Sequence, residues 1–360
     1  MEVEVAGRRL RNIRQLAANR EAQVGRWLLF GNWLTVPTIT TPHDEQPTTI
    51  VHLAGTTFAT DHGVMTPPTA LNRDPSPTVS PQLDAVRQHI EAAVARSGAQ
   101  AIAVGVHDTA TGAELHFEAD RWFHAASTIK IAILLAVFGE IHRGRLAPQS
   151  RLHVRNRFLS AYDGSPFRVL ADRDADTEVH AAIGKTMRVN ELALHMIATS
   201  SNLATNLLLD LIGLESVQRT IERFGLTGLD IRRGVEDEKA FEHGIVNRAT
   251  ADGLVSLLRL IAEEHAYNPE LSRQMLEILH QQEFKKGIPA RLPREVRVAH
   301  KTGDISTVAH DAGVVYAPGA KPYVLAILTE WRPDVGGRSA TIAAISHDIY
   351  VALRGRPNDA

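Results

Sequence analysis

Hydrophobic residues after the first 80 positions change their period in a definite order along the chain. From Leu83 to Ala95 they recur at helical spacing, and Gly98 follows where a helix C-cap is expected. Ala101 to Val106 is a short apolar run, and a turn sequence at 108–112 separates it from the alternating residues 114–118. The pattern therefore predicts a helix followed by a β-hairpin.

The middle of the chain has helical periodicity, and its end returns to strands. Helices are predicted at 129–141, 189–212, 216–224 and 249–263, then strands at 296–299, 313–316 and 323–329, and a final helix at 339–353. Strands on both sides of a helical region imply a sheet whose strands are distant in sequence. We therefore expect an α/β (α+β) fold, with a sheet part at 82–126 and 285–355 and an inserted helical part at 127–284.

The first 81 residues have a different composition. Residues 36–81 hold eight of the 17 prolines and many threonines, which predicts an irregular, disordered linker. Residues 1–35 form an appendage, in which Asn32 interrupts the apolar run from Trp27 to Val36. We interpret this run as an ordinary amphipathic segment rather than as a poor export signal. A start codon placed too far upstream would give the same pattern.

The overall composition excludes several classes of protein. The 360 residues are 44% hydrophobic, enough for a sizeable core, and the formal net charge is −2. A nearly neutral chain offers no electrostatic footprint for nucleic acid, and no apolar run approaches the roughly 18 residues that a membrane span needs. There are no cysteines, and the 17 histidines lack ligand spacing, so we expect no disulfide, metal or other cofactor.

The first of three motifs with candidate chemistry is the segment Ser127-Thr128-Ile129-Lys130. Its serine and lysine lie one turn apart on the same face of a predicted helix, whose continuation is apolar all round and therefore buried. A serine hydroxyl needs a base to become a nucleophile, and a lysine with a lowered pKa can be that base. Alone the motif is weak, because a serine N-cap followed by a solvent-facing lysine would look the same.

The other two motifs follow at fixed places in the predicted fold. Ser200-Ser201-Asn202 lies between two helical patterns, where a plain helix–helix turn is the alternative, and Lys301-Thr302-Gly303 ends the strand predicted at 296–300. Glycine there would let a substrate approach closely, and the lysine and hydroxyl would face an anionic group. The gaps between the three motifs are 73 and 101 residues (127 to 200 and 200 to 301). Their order and context make coincidence a poor explanation.

The three motifs together resemble the signature set of the class A β-lactamases and penicillin-binding proteins. The likeness covers about residues 82–355, and it includes the segments 200–206, 247–251 and 310–315. It implies a β-lactamase/transpeptidase-like fold, in which an antiparallel sheet is flanked by the N- and C-terminal helices. The Ser-x-Asn form argues against classes C and D, and Lys-Thr-Gly argues against the glutaminases.

The resemblance also implies a role for each motif residue. Ser127 would attack a lactam carbonyl, Lys130 would help to remove its proton, and Ser200 would protonate the departing nitrogen. The binding residues would be Asn202 for the substrate amide, Lys301, Thr302 and Gly303 for its carboxylate side, and the backbone amides of Ser127 and Asp304 for the oxyanion.

Three departures from the family pattern bear on function. Ser201 replaces an aspartate, no arginine matches the carboxylate-binding arginine beyond Lys-Thr-Gly although His310 lies nearby, and the Glu-x-x-Leu-Asn loop is missing. Glu236 is the candidate for activating the hydrolytic water, although the acidic run at 236–238 can equally be a solvated loop.

The predicted function is β-lactam hydrolysis through an acyl-enzyme. A peptidoglycan peptidase or esterase, or a binding module that stays acylated, are the alternatives. We expect a small β-lactam or peptidoglycan-like substrate, a monomer, and, by analogy with the family, export from the cytoplasm.

Overall fold

The computed structural model describes residues 81–355. Its helices are α1 (Pro81–Ser97), α2 (Ile129–His142), α3 (Thr177–Ala181), α4 (Val189–Ala198), α5 (Asn202–Ile212), α6 (Leu214–Arg223), α7 (Glu238–Glu242), α8 (Ala251–Ala262), α9 (Pro269–His280) and α10 (Arg338–Arg354). Its strands are β1 (Ala101–Asp108), β2 (Glu114–Phe117), β3 (Phe123–His124), β4 (Arg151–His153), β5 (Phe158–Leu159), β6 (Pro166–Phe167), β7 (Thr186–Arg188), β8 (Leu229–Asp230), β9 (Arg248–Ala249), β10 (Arg297–Ile305), β11 (Val308–Tyr316) and β12 (Tyr323–Glu330). The predicted appendage and the linker up to residue 80 lie outside the described residues.

The main sheet has five strands in the order β10-β11-β12-β1-β2, and every neighbouring pair is antiparallel. Strand β1 pairs with β12 along its whole length, from Ala101 opposite Glu330 to Asp108 opposite Tyr323. The first and last thirds of the folded region are therefore joined in one sheet, as the sequence predicts. The helices from α2 to α9 lie between these strands in the sequence, which confirms the predicted mixed α/β class.

Both faces of the sheet are covered, so strand β1 is buried at all eight positions. One face packs on α1 and α10, where Ile90, Ile345 and Ile349 contribute to an apolar cluster. The other face packs on α8 and on the helical region, whose centre is α2. Helix α2 is buried from Ile129 to Glu140, as its all-round apolar sequence predicts.

The sequence prediction for the Lys-Thr-Gly motif is wrong in one respect. Strand β10 does not stop at His300 but runs to Ile305, so Lys301, Thr302 and Gly303 lie inside it. The strand continues because its polar second half still pairs with β11, with Thr302 opposite Asp311. In a hydrophobic pattern, polar side chains mark the end of a buried strand. Here Thr302 and Asp304 line a cavity, while the backbone hydrogen bonds to β11 continue. No helix among the described residues has the length and apolarity to cross a bilayer.

Candidate active site

Ser127 lies in a single 3₁₀ turn, Ala126–Thr128, which leads directly into α2. Ala126 has a φ of 46°, a left-handed conformation that costs energy for a residue with a side chain and that recurs at functional sites. Strand β10 passes close by: a Cβ placed on Gly303 would lie 3.1 Å from the Ser127 nitrogen. The glycine of the third motif therefore lets the edge strand of the sheet approach the backbone amide of the candidate nucleophile.

Lys130, one turn further on, is completely buried in α2. Its Nζ donates to the Ser200 carbonyl at 2.7 Å, to the Ser200 hydroxyl at 3.1 Å and to the Asn202 Oδ1 at 2.9 Å. Within the described residues Ser127 is not one of its hydrogen-bond partners. Burial lowers the pKa of Lys130 to about 7, while the carboxylates of Asp174 and Glu236 act to raise it. A lysine with this pKa is populated both as an acid and as a base at neutral pH.

Neutral Lys130 has one lone pair and two N–H donors. The Ser200 carbonyl and the Asn202 Oδ1 can only accept, so the Ser200 hydroxyl is the partner that can donate a proton to the amine. This hydroxyl is presented by a break between α4 and α5, where Ser200 has a φ of 60°. The predicted turn between two helices is thus also the segment that connects Lys130 to the cavity.

A cavity of about 650 Å³ lies in front of these residues, and it is lined by Ser127, Ser200, Asn202, Thr302 and Asp304 among others. Lys301 is buried behind it, and its Nζ donates to the Thr302 carbonyl at 2.9 Å. Burial, reinforced by the positive charge of Lys130, lowers the pKa of Lys301 well below its usual value. Two buried lysines near each other cannot both carry a full charge cheaply, which favours a neutral amine at this site.

The edge position of β10 bears on the predicted oxyanion amides. Alternate N–H groups of an edge strand point away from the sheet and are free for other partners. The Asp304 amide belongs to this strand. The side-chain carboxylate of Asp304 pairs with Arg338, with 2.9 Å between Oδ1 and Nη2. The role of the Asp304 amide with the Ser127 amide stays a prediction.

Glu236 lies beside the Ser200–Asn202 segment, so the structure brings the sequence candidate to the site. Its Oε1 accepts a hydrogen bond from Asn202 Nδ2 at 3.3 Å, and its Oε2 pairs with Arg173 Nε at 2.9 Å. Burial raises the pKa of Glu236, and the charges of Arg173, Lys130 and Arg233 oppose that rise. Glu236 has a φ of 61°. The strained loop is held by Asn206, whose side chain exchanges two hydrogen bonds with Val235 at 2.8 and 2.9 Å.

Sequence reasoning missed four residues of this neighbourhood. These are Arg173 and Asp174, which contact Glu236 and the Ser200–Asn202 loop, Arg338 at the end of β10, and Asp237, which accepts from the Ala161 amide at 2.8 Å and fixes the Glu236 loop. Arg173, Asp174 and Arg338 belong to no local motif, because each reaches the site from a distant segment. Asp237 lies inside the acidic run at 236–238, and the alternation of Arg and Asp at 172–176 is the corresponding signal for Arg173 and Asp174.

His310, which the sequence places near the carboxylate end of the cavity, lines it but carries no charge at neutral pH. Its Nδ1 accepts from the Thr329 amide at 3.1 Å and its Nε2 donates to the His124 carbonyl at 2.9 Å. Burial lowers the pKa of His310 to about 4. This histidine therefore does not supply the cation of the missing arginine. Arg338 donates to the Ile305 carbonyl at 2.6 Å and to the Asp304 carboxylate at 2.9 Å, and it is not among the residues that line the cavity.

The geometry defines a class of protein. A serine at a helix start, a buried lysine of near-neutral pKa and a second serine within hydrogen-bond reach of that lysine make up a serine acyl-transfer enzyme that uses lysine in place of histidine. No group of three or more metal-binding side chains is found within residues 81–355.

Comparison with known proteins makes the assignment more specific. The family model described as the beta-lactamase enzyme family matches residues 85–353. A β-lactamase of Streptomyces fradiae is 30% identical over 259 residues, which is 69% of this chain and 79% of the relative. The chain belongs to the beta-lactamase enzyme family.

Solved structures agree with this assignment. A mutant of PBP-A in an acyl-enzyme complex with penicillin G is 27% identical, with a TM-score of 0.66 over 76% of this chain and 98% of the other. The β-lactamase of Sphaerobacter thermophilus is 26% identical, with a TM-score of 0.65 over 78% of this chain and 99% of the other. These similarities confirm the fold class and the family that the three motifs indicate.

Proposed function

We propose that this protein is a class A-type serine β-lactamase, which opens the amide bond of a β-lactam ring and releases the product by hydrolysing an acyl-enzyme. The single observation that carries the proposal is the buried Lys130 amine, whose hydrogen bonds join the second motif to the helix of the first. Its pKa of about 7 suits a group that must accept a proton and return it at neutral pH.

In the acylation step, Ser127 Oγ attacks the lactam carbonyl carbon while neutral Lys130 takes up the serine proton. The carbonyl oxygen becomes negative and would be stabilised by the Ser127 amide and an amide of β10. The ring C–N bond then breaks, and the nitrogen receives a proton through the Ser200 hydroxyl, which Lys130 recharges. The proton balance closes, because Lys130 ends the step neutral and the product is an ester of Ser127.

In the deacylation step, Glu236 would take a proton from a water that attacks the ester carbonyl. Its support is position: it shares Asn202 with Lys130, and burial raises its pKa above that of an ordinary carboxylate, which makes it a stronger base. The ester bond to Ser127 then breaks, and the serine oxygen takes up the proton that Glu236 received from the water, so that Glu236 is ionised again and the product leaves as a carboxylic acid. In the family's Glu-x-x-Leu-Asn loop, an asparagine lies four positions after the glutamate. In this protein that position is the fully buried Ala240, whose side chain cannot help to hold a water.

Slow turnover is the second candidate function, and it is suggested by the contacts of Glu236. Both oxygens of Glu236 are already engaged, one by Asn202 and one by the Arg173 guanidinium. Neither oxygen is then free to accept a proton from a water, although burial keeps the pKa of Glu236 raised overall. If this pairing persists in the acyl-enzyme, the protein would bind penicillin covalently and release it slowly.

The substrate is proposed to carry a carboxylate that binds beside Thr302, which lines the cavity in front of the buried Lys301. A β-lactam satisfies this requirement, and so does the C-terminus of a peptidoglycan peptide. Action on such substrates is consistent with an exported monomer, which remains a proposal.

The experiment is a burst measurement with the chromogenic β-lactam nitrocefin on the wild type, Ser127→Ala, Glu236→Gln and Glu242→Gln. Glu242 is an exposed glutamate on α7 and serves as the matched control. We expect sustained turnover in the wild type and control, none in Ser127→Ala, and a stoichiometric burst without turnover in Glu236→Gln. Hydrolysis of peptides or esters with no nitrocefin burst would contradict the proposal.

A further inference from the structure

The dipeptide Arg173–Asp174 touches both halves of the site, although no motif includes it. Arg173 ends a short 3₁₀ turn, Ala171–Arg173, and Asp174 follows it next to the start of α5. The two side chains point to different partners, Asp174 to the backbone of the second motif and Arg173 to Glu236.

The Asp174 side chain is fully buried and accepts hydrogen bonds at the N-terminus of α5. Its Oδ1 accepts from the Asn202 amide at 3.0 Å, and its Oδ2 accepts from the Leu203 amide at 2.8 Å and from the Ser201 hydroxyl at 3.3 Å. A carboxylate here satisfies two amides that a helix start leaves unpaired and interacts favourably with the helix dipole. It therefore fixes the backbone that carries Ser200 and Asn202.

Ser201 occupies the position where the resemblance expects an aspartate. Its hydroxyl caps α5 through the Ala204 amide at 3.1 Å, and it also donates to Asp174. The negative charge missing from position 201 is thus present a short distance away, supplied by a residue 27 positions earlier in the chain. Ser201 and Asp174 together therefore supply the helix cap and the negative charge at the start of α5.

Arg173 holds the other half of the site. Its Nε pairs with Glu236 Oε2 at 2.9 Å, and its backbone carbonyl accepts from Asn202 Nδ2 at 3.2 Å. The guanidinium also binds Glu238. Asn202 Nδ2 therefore donates both to the Arg173 carbonyl and to Glu236 Oε1. The Arg173 side chain binds the other oxygen of the same carboxylate.

We infer that Arg173 and Asp174 form a two-sided clamp, in which Asp174 positions the Ser200–Asn202 loop for acylation and Arg173 positions Glu236 for deacylation. Neither residue is a proton carrier. The inference rests on the proposed function, because it assigns the two sides of the clamp to the two steps of that reaction.

Neighbouring charges give each side of the clamp a separate signature in the pH profile. Lys130 faces Asp174, Glu236 and Lys301, and the two carboxylates raise its pKa. His180 on α3 also contacts the Asp174 carboxylate, with its Nε2 3.2 Å from Oδ2. Removing the Asp174 charge therefore lowers the pKa of Lys130, so the acidic limb of the acylation rate moves to lower pH while its plateau falls.

Glu236 faces a mixed set of charges. Arg173, Lys130 and Arg233 lower its pKa, and Glu238 raises it. Removing the Arg173 charge raises the pKa of Glu236, so the acidic limb of the deacylation rate moves to higher pH. A residue that only supported the fold would lower rates or stability without moving either limb.

The test measures the acylation and deacylation rates from pH 5 to 9 by stopped flow with nitrocefin, on the full-length protein and four variants. Asp174→Asn and Arg173→Gln remove the two charges, and Arg173→Lys restores one of them. Asp120→Asn, an exposed aspartate outside the cavity lining, is the matched control.

For Asp174→Asn we expect an acylation plateau lower by roughly tenfold, because an asparagine oxygen cannot replace both acceptor atoms, with its limb at lower pH. For Arg173→Gln we expect a deacylation limb at higher pH, which Arg173→Lys returns towards the wild-type position. The control should match the wild type at every pH.

The clamp is overturned if Asp174→Asn lowers thermal stability but leaves the acylation profile in place, or if Arg173→Gln leaves the deacylation limb in place. Should Asp174→Asn fail to fold, Arg173→Gln decides alone, since Arg173 is 46% exposed and tolerates replacement. Glu236→Gln separates the two ideas: if it deacylates normally, the proposed role of Glu236 fails, and the Asp174 effect on acylation still decides that side of the clamp.

Discussion

The pH dependence of acylation follows from the burial of Lys130 and can be worked out numerically. Acylation requires the neutral amine, and the pKa of Lys130 is about 7. The neutral fraction is then roughly 9% at pH 6, 50% at pH 7 and 91% at pH 8, from the ordinary titration relation. The acylation rate constant should therefore rise about tenfold between pH 6 and pH 8 and then level off.

The perturbation that isolates this effect is Lys130→Arg, which keeps the positive charge at all pH values. Such a variant should lose the rise and acylate only at a background rate. The assay is single-turnover acylation by nitrocefin in stopped flow, with buffers of constant ionic strength and the Asp120→Asn protein as a control for handling.

Two results would refute the reasoning about Lys130. A rate that is flat from pH 6 to pH 8 would mean that the amine does not titrate in this range. A limb centred well below neutral pH would mean that a carboxylate is the proton acceptor in acylation, with Glu236 the nearest candidate because burial raises its pKa.

Three further predictions concern packing and capping. Gly303→Ala should lower the acylation rate at least tenfold with little loss of helix content by circular dichroism, because the new methyl group would press on the Ser127 nitrogen from 3.1 Å. Glu140→Gln should lower the free energy of unfolding by about 2 kcal/mol in denaturant titrations, since this buried carboxylate binds two arginines and has a pKa of about 2. The loss should shrink as the pH falls below 4.5 and disappear only below about 2, where the wild-type carboxylate is protonated as well. Ser201→Ala should lower the free energy of unfolding by about 1 kcal/mol, because it removes the cap on the Ala204 amide, and an unchanged melting temperature would contradict this.

Much of the fold was accessible from the sequence, because burial imposes a period on hydrophobic residues. Helix α2 and strands β1 and β12 carry uniform apolar patterns, and the structure confirms each of them. Strand β10 was cut short in the prediction, since its second half faces a cavity and has no hydrophobic pattern to reveal it. Hydrogen bonds to β11 hold that half in place. Backbone hydrogen bonds do not depend on the side chains, so the sequence pattern does not reveal them.

Some residues of the candidate site could be predicted from the sequence and others could not, for the same reason. Motif residues were predictable because their spacing along one helix turn or one strand determines their geometry. Arg173 and Asp174 were not predictable, because their partners lie 63 and 28 positions away (173 to 236 and 174 to 202) and depend on how a loop folds back. Arg338 reaches β10 in the same way, from the start of the last helix.

The measurement that tests the central claim most directly is intact-protein mass spectrometry after mixing with penicillin, followed by peptide mapping. Ring opening expels no atoms, so the account predicts a single adduct with the mass of the whole antibiotic, located on Ser127 and absent from Ser127→Ala. An adduct on any other residue, or none in a folded protein trapped early in the reaction, would contradict it.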